Sequence, residues 1–69
     1  MTKLPSSREV VSVLERNSFV FISQKGSHQK FGNGTRIVIV PAARKEIPIG
    51  TYKSIVRQSG LPESEFRDY

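Results

Sequence analysis

Apolar residues recur along the chain in different rhythms, and each rhythm predicts an element. Val10, Val11 and Leu14 fall on one face of a helix, with Val13 beside them to widen it. Ser6 supplies an N-cap, and Glu9, three residues on, can reach back to complete a capping box. Pro5 restricts the entering chain and Asn17-Ser18 makes a stop, so a helix is predicted over residues 7–17. The rhythm then changes. Phe19-Val20-Phe21-Ile22 is aromatic and β-branched, which suits a strand. A turn at Lys25-Gly26 leads into a second strand over residues 27–31, and Gly32-Asn33-Gly34 is a hairpin signal. Arg36-Ile37-Val38-Ile39-Val40 is the clearest strand, and Pro41, with no N–H to donate, ends it. Helical spacing returns with Ile49, Tyr52, Ile55 and Val56, opened by Pro48 and stopped by Gly60, which predicts a helix over residues 48–59. Residues 62–66 can add a short turn that docks Phe66 on the core.

The order α-β-β-β-α places the chain in the α+β class. Three strands with short loops form an antiparallel meander with both helices on one face, and the other face is left open. This is the layout of the double-stranded RNA-binding domain. A three-residue loop at Gly32-Asn33-Gly34 pairs Phe31 with Thr35, Lys30 with Arg36 and His28 with Val38. Phe31, Ile37 and Ile39 then share the core face, and His28, Lys30 and Arg36 share the open one. A two-residue loop would set His28 and Lys30 beside Ile37 and Ile39 instead, because a slip of one residue flips every side chain. The separation of charge from apolar side chains favours the three-residue loop. For the first hairpin the pattern leaves open whether Phe21 or Ile22 points inward.

A chain of 69 residues is expected to form one domain, residues 1–69, with a thin core, so any chemistry sits in a shallow groove. The sequence holds no cysteine, which excludes a disulfide framework and thiolate metal sites and fits a reducing cytoplasm. Residues 1–8 are polar, so no secretory leader is expected, and the longest apolar run, residues 37–40, is far too short to span a bilayer. The formal charge is +5. Lys25, Lys30, Arg36, Arg44, Lys45, Lys53 and Arg57 occupy the middle of the chain against Glu46 alone. Glu9, Glu15, Glu63, Glu65 and Asp68 lie towards its ends. A basic middle with acidic flanks favours a polyanionic partner such as nucleic acid.

His28 is the one histidine. Imidazole suits proton transfer near neutral pH, and Lys25, Lys30 and Arg36 nearby would attract phosphate and stabilise charge developing on it. RNA carries its own nucleophile, the 2′-hydroxyl, so one imidazole and a few cations can cleave it without a metal. With no second imidazole, the leaving oxygen must take a proton from Lys, Ser or water. The acids are scattered without ligand spacing, so neither a metal nor another cofactor is expected. Fold and charge would equally serve a non-catalytic RNA-binding module, or a module that chiefly holds an acidic protein partner.

Leu4-Pro5, Leu14, Asn17-Ser18-Phe19 and Gln24-Lys25-Gly26-Ser27-His28 occur here in a fixed order. They are followed by Val40-Pro41, Ile47-Pro48-Ile49-Gly50-Thr51 and Ile55-Val56-Arg57-Gln58-Ser59-Gly60-Leu61. This set resembles the HicA-type mRNA interferase toxins of type II toxin–antitoxin pairs over nearly the whole chain. The resemblance implies the α-β-β-β-α fold and metal-independent endoribonuclease activity on mRNA, with His28 as the catalytic residue. It also implies inhibition by a HicB-type antitoxin that covers the active surface. On this reading Lys25, Ser27, Lys30 and Arg36 are the RNA-binding residues around His28. Two positions depart from the family pattern. Ser18 stands where many members carry Gly, and Ala43 stands where many carry a second His, a role that would pass to Arg44 or Lys45.

Overall fold

A computed structural model of the chain describes residues 3–67; Asp68 of the acidic flank, and Met1 and Thr2 of the expected leaderless start, lie outside the described residues. Helix α1 spans Ser7–Arg16 and begins with the expected capping box: the Glu9 N–H donates to the Ser6 hydroxyl, and the Ser6 N–H donates to the Glu9 carboxylate at 2.8 Å. Strands β1 (Val20–Lys25), β2 (His28–Gly32) and β3 (Ile37–Pro41) form an antiparallel sheet in the order β1-β2-β3. Helix α2 spans Ile49–Ser59, and a 3₁₀ turn, Glu63–Phe66, closes the described chain. The α-β-β-β-α architecture is the one the sequence pattern predicts.

The core lies between the helices and one sheet face. Val10, Val13 and Leu14 of α1, Phe31, Val38 and Val40 of the sheet, and Tyr52 and Ile55 of α2 are buried there. Burying a side chain of this size contributes about 1.5–3 kcal/mol. Val13 is fully buried while Val11 is only partly so, which rotates the buried stripe of α1 slightly from the predicted one. Ile49, expected on the buried face of α2, is exposed because it opens the helix before the helix reaches the core. Phe66 docks as expected and meets Tyr52 edge-to-face at 6.1 Å.

The helix ends have separate solutions. Gly60 stops α2 at φ 70°. After α1 the same left-handed step falls on Ser18, also at φ 70°. The Ser18 N–H donates to the Glu15 carbonyl and the Phe19 N–H to the Leu14 carbonyl, the two reverse bonds of a Schellman motif.

The register of the second hairpin corrects the sequence expectation. Lys30 opposes Ile39, Phe31 opposes Val38 and Gly32 opposes Ile37, so the connection has four residues, not three. Asn33 is the cause. Its side-chain carbonyl accepts from the Thr35 N–H at 3.0 Å, the Arg36 N–H at 2.8 Å and the Thr35 hydroxyl at 3.1 Å. Its own N–H donates to the Arg36 carbonyl, which closes the wider turn. Val38 and Val40 therefore face the core, and Ile37 and Ile39 join His28 and Lys30 on the open face. Arg36 leaves that face altogether. The first hairpin shows why its register was ambiguous: it is irregular between Phe21 and Ser23, where Ile22 is the extra residue. Phe21 meets Phe31 edge-to-face at 5.8 Å, whereas Ile22 reaches over Gly32 towards Ile37.

Candidate active site

Cross-strand partners share a sheet face, so the pairing divides the open face into two ends. Val20, Ile22 and Ile37 gather around Gly32 at one end. A Cβ on Gly32 would come within 2.7 Å of the terminal methyl of Ile22, an exposed side chain that would have to turn aside. Lys25, His28 and Pro41 lie in line at the other end, with Lys30 next along β2. Lys25 and His28 face each other across the Gly26-Ser27 connection, where Gly26 takes φ 59°. Lys30, two residues from His28 on the same strand, presents its side chain about 7 Å further along that face.

His28 is exposed at the mouth of a cleft of about 270 Å³ where β3 meets α2. Ile39 and Pro41 supply the sheet side of the cleft and Arg44 its end. Thr51, Ser54 and Gln58, spaced to share one face of α2, supply the opposite wall with two hydroxyls and an amide. Gln58 is fixed in place: its side-chain carbonyl accepts from the Ile39 N–H at 3.0 Å, closing the free edge of β3 and leaving the NH₂ end as a donor. Arg57 reaches Ser54 at 3.5 Å on the margin of the cleft.

Arg44 is held from behind by Ser7, a buried serine. The Ser7 hydroxyl donates to the Pro41 carbonyl and accepts from the Arg44 N–H at 2.9 Å, while the Ser7 N–H donates to the Arg44 carbonyl at 2.9 Å. The Ile47 N–H donates to the Pro5 carbonyl at 2.8 Å and fixes the other end of the same loop. These bonds let the loop place a cation beside His28 without secondary structure of its own.

The predicted site residues thus separate. Lys25, Ser27 and Lys30 stay close to His28; Ser27 sits in the adjoining turn, and its carbonyl accepts from the Ala42 N–H at 2.7 Å. Arg36 lies at the far end of the strands, roughly 13 Å or more from His28. Its guanidinium donates to the Gln58 carbonyl at 3.4 Å and lies against Gly60. Arg44, Thr51, Ser54 and Gln58 take its place around the imidazole. Gln58 and Thr51 were visible only as motif letters, and the tie from Ser7 to Arg44 had no sequence signal beyond a serine at a helix start. Among the described residues, no three His, Cys, Asp or Glu side chains group in a way that could hold a metal ion. No described helix is long and apolar enough to cross a membrane.

One sheet face left open, carrying one imidazole and two lysines, with both helices packed against the other face, defines a small α+β domain. Residues 7–61 match the family described as HicA toxin of bacterial toxin–antitoxin systems, and the chain belongs to that family. Membership makes it the toxin of a toxin–antitoxin pair, which implies a cognate antitoxin. A search of curated proteins finds no match.

Proposed function

We propose that this toxin is an endoribonuclease acting on mRNA without a metal or other cofactor, and that a HicB-type antitoxin holds it inactive. The reading is carried by the position of His28, the one imidazole, at the mouth of a cleft walled by hydroxyls and an amide and ended by a cation. His28 takes the proton of an RNA 2′-hydroxyl. The 2′-oxygen attacks the adjacent phosphorus, the bond to the 5′-oxygen breaks, and the leaving oxygen takes a proton from a lysine, a serine or water. The products are a 2′,3′-cyclic phosphate and a free 5′-hydroxyl. Lys25, Lys30 and Arg44 stabilise the charge on the phosphorane, and such fixed charges are worth most where water is partly excluded. Gln58 and the two α2 hydroxyls orient the ribose and base. Ser27 lies beside the strand as a further RNA contact, and Arg36 touches only nucleotides at the far end of the sheet. The cytoplasm, where mRNA and antitoxin meet, is the site of action.

The chemistry is tested with an oligoribonucleotide that is cut at one position. Replacing the single nucleotide 5′ to that bond by its 2′-deoxy form is expected to abolish cleavage there. Continued cleavage of the deoxy-substituted strand would mean that water or an enzyme group is the nucleophile, and the mechanism would fall.

A further inference from the structure

A second groove, of about 580 Å³, lies on the other side of the loop that carries Arg44. Arg8 of α1, Lys45, Gln29 and Arg44 itself line it. Arg44 therefore borders both the groove and the His28 cleft. Gln29 and His28 are consecutive strand residues and point to opposite sheet faces. The two concavities thus lie on opposite faces, with Arg44 between them beyond the end of β3. None of Arg8, Arg44 and Lys45 forms an ion pair with a carboxylate among the described residues. Glu9, one residue from Arg8, is occupied in the capping box at the Ser6 N–H. The loop between the concavities is fixed by Ser7 and by the Pro5–Ile47 bond, so the cations border a groove whose wall is held in place.

We infer that this groove is a second RNA subsite, which takes the phosphates of a single strand leaving the His28 cleft. The strand crosses the loop at Arg44 and is held on the α1 side by Arg8 and Lys45. The inference rests on the nuclease reading for the identity of the polyanion. It adds direction, because a flexible single strand can turn around the sheet end whereas a stiff duplex cannot. It also adds length, because strands too short to round the loop gain nothing from the groove.

The test measures binding of oligouridylates of about four and about twelve nucleotides, lengths within the range of single-strand sites. Each is titrated over a range of salt against full-length His28→Ala protein, and against the same protein carrying Arg8→Gln and Lys45→Gln. Arg8 and Lys45 are exposed, so the substitutions should leave the fold intact, which a thermal melt of the variant checks. On the long strand the variant is expected to bind roughly tenfold more weakly, with a salt slope shallower by about 1.4, the share of two phosphate contacts on a single strand. On the short strand the two proteins should agree. Arg8→Glu with Lys45→Glu should deepen the loss on the long strand alone. Equal affinities and slopes on the long strand would overturn the groove and leave the nuclease reading standing. Absence of salt-dependent binding by either protein would overturn both.

Discussion

Ser18 occupies a backbone position that asks for glycine. It is the residue after the C-cap of α1, it has φ 70°, and two reverse hydrogen bonds hold it there. A left-handed conformation costs an L-residue about 1–2 kcal/mol, because Cβ crowds the following carbonyl. Its side chain is exposed, so truncation removes no packing. Glycine loses more chain entropy on folding, which returns about 0.5–1 kcal/mol of that gain. Ser18→Gly should therefore stabilise the protein by a net 0.5–1 kcal/mol, or about 3–6 °C in Tm for a domain of this size. The assay is thermal unfolding followed by circular dichroism, paired with urea titration. The midpoint should rise in both with the urea m-value unchanged, which marks a change in stability alone. Ser18→Ala, which keeps the Cβ, is the control and should move the midpoint by no more than a few tenths of a kcal/mol. Ser18→Gly with an unchanged or lower Tm, at constant m, would refute the assignment of strain to this residue. Ala43, exposed at φ 59°, should behave the same way when changed to Gly.

Ser7→Ala strands the Arg44 N–H and the Pro41 carbonyl together and should cost about 2 kcal/mol. RNA cleavage measured well below the melting temperature should fall as well, because Arg44 keeps only one of its two bonds to Ser7; full activity would separate the loop from the site. Gln58→Leu removes the acceptor of the Ile39 N–H and should cost about 1 kcal/mol by urea titration. Hydrogen exchange at Ile39 should accelerate in that variant, and an unchanged exchange rate would show that the β3 edge is closed by something else.

The elements were legible because their signals are local. The Ser6–Glu9 box, the glycine stop at Gly60 and the three- and four-residue spacing of apolar positions in α1 and α2 depend on neighbours about one turn away. The face of β3 was not legible in this way. Ile37, Val38, Ile39 and Val40 are apolar on both sides, so period-two alternation cannot say which pair is buried. The decision passed to the hairpin loop, where the separation of charged from apolar side chains favoured three residues. The amide of Asn33 instead bonded three donors ahead of it and widened the loop. That single side chain moved Ile37 and Ile39 to the open face and Arg36 to the end of α2. His28 was readable as the one imidazole, but its neighbours were not. Arg44 and Gln58 reach it through the Ser7 and Ile39 bonds, contacts between residues distant in sequence. A serine that will be buried looks the same in sequence as one that only caps a helix.

The central claim is that the His28 imidazole carries the chemistry of this toxin. The most direct measurement compares the purified protein with His28→Ala on a long single-stranded RNA in the presence of EDTA. Cleavage by the parent and none by the variant, with salt-sensitive RNA binding retained by both, is the predicted result. Equal cleavage by parent and variant would contradict it.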